Sequence, residues 1–410
     1  MIPGLLDPRC GPVRALGIDR SHGVLHTATA ELAATDGFAL PLGNPVVGGT
    51  SWASPQEAAR RALGEAAERY AGHLVPADRL VRSAWRNLGA AAIDPETLAL
   101  YSPDQLGRPG FPFVGLRRDT VTCWVTGRTA AGTDRLVPAS LVWLAPGEHA
   151  ESEGRPLHLP VAAGIAAGPT PAAARSAALA EVVERHALAT AWHAGWAFPP
   201  LAVQPSPVPD GVRLRWFQVP NLLGAPVVLC TAEGHGDRLG VGCALAPNAA
   251  DPVASAGAKA AAEALVSLDT LDAVIEGIPE WSGVLKPHRE DRCYGDDYRP
   301  DLSDATDLVC TLQLLADPRT ARRILARLTA GRPGGRWRPG PIDLDTAAAA
   351  HGLLVVTIDI TPPDLARLGL AVARVVVPGL RSTGPAAFPF LGDGAEPLPS
   401  APERLPMPHV

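Results

Sequence analysis

Two stretches of this chain are copies of one design. They are Ser54 to Tyr70, SPQEAARRALGEAAERY, and Thr170 to Arg185, TPAAARSAALAEVVER. In one register Pro55 aligns with Pro171, Ala58 with Ala174, and Leu63 with Leu179. Glu65, Glu68 and Arg69 align with Glu181, Glu184 and Arg185. Both read as helices, because Ala and Leu are strong helix formers. Ser54 and Thr170 sit where an N-cap belongs, and Pro55 and Pro171 suit the first helical position. Glu57 completes an S-x-x-E capping box in the first copy. Gly72 and Gly195 are the expected stops. A glycine-rich loop precedes each helix, at Gly48-Gly49 and at Gly164 to Gly168.

Residues three and four apart share a helical face. Each helix therefore carries two glutamates and an arginine side by side. A single E-x-x-E-R is ordinarily a solvated face with ion pairs of ~0.3–0.5 kcal/mol each. Two copies in one register point elsewhere. If the helices meet, up to four carboxylates converge, and like charges at close range need compensation. A hard divalent cation provides it, and Mg²⁺ takes a few carboxylates together with substrate phosphates. The arginines can clamp phosphate oxygens. The pattern is that of a Mg²⁺–nucleotide site made from paired helices. The glycine-containing stretch GRPGGRWRPG at Gly331 to Gly340 has no G-K-[ST] and is no P-loop; it reads as a basic surface turn, with a contact for an acidic peptide as the alternative.

A third stretch repeats part of the theme. Asp251-Pro252 opens a helix bearing Lys259 and Glu263 four residues apart, without a second acid, since position 266 is Val266. A simple salt bridge and a contribution to the nucleotide site both account for that pair.

The other segments narrow the class. The net charge of −6 argues against general nucleic-acid binding. The six cysteines form no C-x-x-C, so buried free thiols are expected, not zinc. No apolar stretch reaches a membrane span, and the cytoplasm is the expected compartment. Residues 1–47 read as strands and turns, and Val121 to Gly127 as a strand with Trp124 packed on one face. Tyr101, Phe111 and Phe113 read as core. His186 and His193 share a helical face and read as structural. Residues 279–305 read as an exposed excursion. Leu353 to Ile360, Pro363 to Leu370 and Val372 to Val377 read as a strand, helix and strand that close the folded body. The tail from Gly392 is Pro-rich and ends Leu405-Pro406-Met407-Pro408-His409-Val410, extended and stiff.

Taken together, these blocks resemble the YcaO superfamily, and within it the azoline-forming cyclodehydratases of ribosomal peptide natural products. The resemblance spans essentially the whole chain. It rests on Ala62 to Tyr70, the Gly164 to Gly168 block with Glu181 to Arg185, Val356 to Thr361, and Arg374-Val375-Val376-Val377-Pro378-Gly379-Leu380. The Tyr101-Ser102, Phe111-Pro112-Phe113 and Trp124-Val125-x-Gly127 blocks look most like members of thiopeptide and related azole pathways.

The resemblance implies a mixed α+β fold, with residues 1–394 as the catalytic domain and 395–410 as a Pro-rich tail. It implies ATP and Mg²⁺ as cofactors. Glu65, Glu68, Glu181 and Glu184 would be metal ligands or their supports. Arg69 and Arg185 would be phosphate contacts, joined by Lys259 and Glu263. Pro408 and Val410 of the tail would lie by the reacting centre. The implied reaction turns Cys, Ser or Thr of a ribosomally made precursor into thiazoline or oxazoline. Thioamide formation, amidine closure and a non-catalytic scaffold are the alternatives. The implied partners are the precursor peptide and a separate leader-binding protein, with a homodimer left open. The chain departs from the family at Arg61, Ala162-Ala163, His186 and Val266, and lacks the last Pro of P-x-P-x-P.

Overall fold

The computed structural model describes residues 4–33, 45–203, 207–277, 283–287, 294–399 and 405–409, save the side chain of Glu276. Strands β1 (Val13–Ser21), β2 (Leu25–Leu32) and β3 (Val46–Ser51) form a three-stranded sheet. Helix α1 (Pro55–His73) follows, then β4 (Val81–Ala84), α2 (Trp85–Leu88), α3 (Pro103–Leu106), β5 (Val121–Thr129) and β6 (Asp134–Pro138). A hairpin of β7 (Glu151–Ser152) and β8 (Arg155–Pro156) precedes β9 (Ile165–Gly168) and α4 (Pro171–His193). A four-stranded sheet takes β10 (Pro200–Leu201), β11 (Arg213–Gln218), β12 (Val228–Glu233) and β13 (Leu239–Ala244) in sequence order. Next come α5 (Pro252–Glu276), α6 (Val309–Ala316), α7 (Pro318–Ala330) and α8 (Leu344–Ala350). The last elements are β14 (Val356–Asp359), α9 (Pro363–Arg367) and β15 (Ala371–Val376). The fold is mixed α+β, as expected.

Three strand-to-helix units carry the site: β3–α1, β9–α4 and β13–α5. Each helix is capped in the same way. The Ser54 hydroxyl accepts from the Glu57 amide, Thr170 from Ala173, and Asp251 from Ala254, at 3.2, 3.1 and 3.0 Å. Each has proline at its start. The expected capping box is only half formed. The Ser54 amide donates to the Ser51 hydroxyl, and Glu57 pairs with Arg61 at 2.7 Å.

The glycine-rich stretches before the first two helices are strands, not loops. Gly48 and Gly49 lie in β3, and Ile165–Gly168 is β9. The glycines serve close packing of strand on helix. A Cβ on Gly49 would lie 2.2 Å from the Ala62 amide nitrogen, and one on Gly242 2.2 Å from the Ala260 carbonyl oxygen. No side chain fits at such separations. Gly72 likewise is no stop: α1 continues to His73, and Gly72 packs against Ile165 and Leu144. Gly195 does end its helix, with φ +73° just after α4.

The strand–helix–strand unit near the C-terminus is shorter than expected at both strand and helix. It also sits inside a sheet. The six-stranded sheet runs β4-β5-β14-β15-β9, with β6 also on β5. β15 thereby pairs directly with β9, Arg374 opposite Ile165. All six residues of β15 are buried, consistent with its apolar run.

Two cores result. One joins α4, α5 and the four-stranded sheet; the other joins α1, the first sheet and the six-stranded sheet. Trp124 is fully buried, and Tyr101, Phe113 and Phe390 form a smaller aromatic cluster. His186 is structural: its Nδ1 accepts from the Arg381 amide at 2.9 Å, and its Nε2 meets Glu396 at 3.2 Å. This ties α4 to the C-terminal segment. Within 279–305, Tyr294 and Tyr298 are buried, so that region is no simple excursion. His288 to Arg292 lie outside the described residues. Gly331 to Gly340 is a surface turn, anchored by the Trp337 indole donating to the Val227 carbonyl at 3.0 Å. The described cysteines are free, and Cys10 is exposed. No described helix is long and apolar enough to cross a membrane.

His158 lies in the segment that leads into β9, and it gives the fold a pH dependence. Its Nδ1–H donates to the Leu159 carbonyl at 2.7 Å, and its Nε2 accepts from Ser140 at 3.0 Å. Burial, and secondarily Arg374, depresses its pKa from 6.5 to about 4. The folded state keeps this ring neutral while the unfolded state protonates it. Its contribution is therefore complete above pH 6.5 and is lost as pH falls toward 4. That contribution is on the order of 3 kcal/mol. In denaturant melts from pH 7 to 4.5, His158→Gln should lose stability less steeply than wild type. Parallel curves would show that His158 does not govern the slope.

Candidate active site

The three capped helices bring their acids to a common region. Four of these carboxylates are each held by a backbone amide of a neighbouring strand or its end. Glu68 accepts from Ala167 at 2.7 Å, and Glu181 from Gly164 at 2.8 Å. Glu184 accepts from Leu245 at 2.8 Å, and Glu263 from Cys243 at 3.2 Å. The side chains are thus oriented by the sheets beneath them. This is why the strands need their glycines: a helix held further out could not reach those amides.

The cations lie among these acids. Arg185 is 3.7 Å from Glu181 and 3.8 Å from Glu184. Lys259 is 3.7 Å from Glu184 and 3.6 Å from Glu263. Lys259 is half-exposed, whereas Glu184 is 2% exposed. Arg69 instead pairs with Glu65 at 3.3 Å.

Charge is not balanced in this cluster. Burial pushes the Glu68 carboxyl well above the ordinary range, and Glu65 beside it adds to the rise. Glu181 and Glu263 are also pushed up, again chiefly by burial. These groups are surrounded by protein atoms, so solvent relieves them poorly. Burial works against the charge on Arg185, but Glu184 and Glu181 overcome it and hold the guanidinium protonated. Lys259 is likewise held charged, first by Glu184.

Two cavities flank the cluster. The larger, of about 770 Å³, is lined by Glu65, Glu68, Arg185, Lys259, Glu263 and His409, among others. That size lies within the usual range for small-molecule sites. The second, of about 410 Å³, reaches Glu181, Glu184 and Lys259 from the other side, past Ser176 and Asn248. Lys259 faces both. Arg69 is not part of either wall. Pro408 lines the larger cavity, and Val410 lies outside the described residues.

Some wall residues escaped the sequence reasoning. Thr27, Thr29 and Thr50 form a hydroxyl-bearing wall with Gly48, and Arg60 and Arg61 stand at the start of α1. Alternating Thr27 and Thr29 in HTATAEL was the available signal. His409 had none, because nothing local distinguishes a penultimate histidine from a frayed end.

Among the described residues, no three His, Cys, Asp or Glu side chains are placed to hold one ion together. The residues nevertheless fit a nucleotide with a divalent cation. Several carboxylates have raised affinity for positive charge, and two cations, Arg185 and Lys259, face the same cavity.

The chain is similar to known proteins of one family. A family model described as YcaO cyclodehydratase, ATP- and Mg²⁺-binding, matches residues 51–381. A solved heterocyclase in complex with substrate and cofactor is 21% identical, with TM-score 0.68 over 99% of this chain. This chain spans only 56% of that protein's length. YcaO from Methanopyrus kandleri, bound with AMPPCP and Mg²⁺, is 17% identical with TM-score 0.55, covering 90% of this chain and 86% of its own. The E. coli microcin synthetase McbBCD complex contains a chain 12% identical with TM-score 0.62, covering 97% of this chain and 96% of its own. At these identities the structures attest the fold. No curated protein sequence matches the chain.

Proposed function

The chain belongs to the YcaO family, and from that premise we propose that it is an ATP-dependent peptide cyclodehydratase. It converts Cys, or Ser or Thr, of a ribosomally made precursor to thiazoline or oxazoline. The observation that carries this is the pair of E-x-x-E-R helices joined at a cavity of about 770 Å³, with Pro408 of the C-terminal tail in its wall.

When bound, ATP supplies the phosphoryl group that makes the amide oxygen a leaving group, and Mg²⁺ shields the phosphates. The chain's own residues hold and orient. Glu65, Glu68, Glu181 and Glu184 would hold or support the cation, and their shared charge makes that binding favourable. Arg185 and Lys259 would face the phosphates, their own charge kept by Glu184 and its neighbours. Glu263, bonded to the Cys243 amide, fixes Lys259. Arg69 acts through Glu65. Backbone bonds lock Glu68, Glu181, Glu184 and Glu263 before the ligands arrive, so little reorganisation is needed at the reacting centre.

A separate leader-binding protein would deliver the precursor. The microcin synthetase neighbour, which is a complex and is also known with pro-MccB17 bound, supports that arrangement. The test follows peptide mass and phosphate release together, with the chain, ATP, Mg²⁺, partner and precursor. Loss of one water per ring, matched by one phosphate, with the ring mapped to a Cys, Ser or Thr, is expected. An O-to-S exchange or an amine-derived ring would replace this reading by thioamide or amidine formation. Peptide binding without any turnover would leave a scaffold.

A further inference from the structure

His409 ends the described tail inside the wall of the larger cavity. The ring is 8% exposed, and neither Nδ1 nor Nε2 has a hydrogen-bond partner. Buried polar groups in folded proteins almost always have one. The fold thus seats an imidazole here and offers it nothing to bond. The seating is deliberate in its anchors: Leu405 accepts from the Trp192 indole at 3.1 Å, and Met407 is buried in the core of α4 and α5. Because His409 lines the cavity, a molecule that fills it can supply the missing partner.

We propose that His409 is the proton acceptor for the side-chain nucleophile of the peptide in ring formation. This rests on the cyclodehydratase reading. Burial first, and Arg185 second, depress the ring's pKa, so it is neutral and keeps a lone pair on one nitrogen. Arg185 also faces the cavity. Once phosphates lie against Arg185, its charge no longer opposes an imidazolium, and the base strengthens when substrate is in place.

In the step, the nucleophile's S–H or O–H proton passes to His409 as its sulfur or oxygen bonds the carbonyl carbon. The carbonyl π pair moves to oxygen, which takes the γ-phosphoryl group as ADP leaves. The C–O bond then breaks, phosphate departs with its electron pair, and the amide N–H proton passes to solvent as the nitrogen pair forms C=N. His409 returns its proton to the released phosphate.

His409→Ala and His409→Gln decide the matter in the full chain with partner, precursor, ATP and Mg²⁺. Both should lower kcat for ring formation by about 100-fold or more, the usual scale for a positioned base. Both should bind mant-ATP with Mg²⁺ within about 3-fold of wild type. Added imidazole should restore ring formation by the alanine variant and leave wild type unchanged. Near-normal rates in His409→Gln would show that hydrogen bonding or filling suffices, and would overturn the proposal. So would unchanged rates in both variants, absence of imidazole rescue, or a loss of mant-ATP affinity that accounts for the rate. The wild-type product mass separately reports on the cyclodehydratase reading. If wild type makes another product, the variant-to-wild-type ratio of peptide-dependent phosphate release still judges His409. If wild type shows no turnover with peptide bound, both readings fall.

Discussion

Glu184→Gln is expected to lower ring formation by about 10³-fold, the upper end for loss of one preorganised electrostatic group. Glutamine matches the shape, and its oxygen can still accept from the Leu245 amide, a 2.8 Å bond in the native chain. What it lacks is charge. Lys259 and Arg185 stand 3.7 and 3.8 Å from Glu184 and lose the anion they share. The site also loses affinity for a divalent cation. Peptide-dependent phosphate release and peptide mass should fall together, and circular dichroism should show an intact fold. Glu96→Gln, at an exposed ion pair with Arg118, serves as the control and should match wild type. Unimpaired turnover by Glu184→Gln would remove the metal site as drawn here.

The second large effect is at Trp192. It is fully buried near the end of α4, with Arg327 4.9 Å from its ring centroid and Phe198 at 6.3 Å. Trp192→Ala should destabilise the fold by about 3–5 kcal/mol, the transfer and cavity cost of a large aromatic. A urea melt reads this directly, and a change under about 1 kcal/mol would mean that the site collapses to fill the gap. Trp192→Phe separates packing from anchoring. It keeps most of the ring but removes the indole N–H that donates to Leu405. Stability should then fall by about 1–3 kcal/mol, one hydrogen bond together with the partial cavity left by the smaller ring. Ring formation should fall further than that loss of stability explains, because Pro408 and His409 are no longer held in the cavity wall. Equal rates in Trp192→Phe and wild type would show that other contacts seat the tail.

The departures from the family acquire physical readings. Arg61 lines the cavity while paired with Glu57, adding a cation at the start of α1. His186 bonds Glu396 and the Arg381 amide, and so anchors the C-terminal segment. Val266 lines the cavity without offering a polar group.

Much of this was legible locally. A helix start is written in a few adjacent residues, so Ser54-Pro55, Thr170-Pro171 and Asp251-Pro252 announced all three site helices. The i, i+3 and i+4 spacing placed Glu65, Glu68 and Arg69 on one face, and likewise Glu181, Glu184 and Arg185, because helical geometry is fixed by the backbone alone. The apolar runs at β5, β14 and β15 marked buried strands for the same reason.

What the sequence could not decide depended on long-range partners. Gly49 and Gly72 look alike as punctuation, yet each answers to atoms of another element: the Ala62 amide and the Ile165 side chain. Arg69 and Arg185 occupy equal positions in their repeats. Arg185 faces the cavity among Glu181, Glu184 and Glu263, whereas Arg69 stays with Glu65. The amides that hold the four acids belong to β9, β13 and the residues flanking them, far away in the chain. His409 is the clearest case. Its neighbours in sequence say only that the end is stiff, whereas the folded chain buries it beside Arg185 with both nitrogens unbonded, since burial and hydrogen-bond satisfaction are properties of the assembled interior.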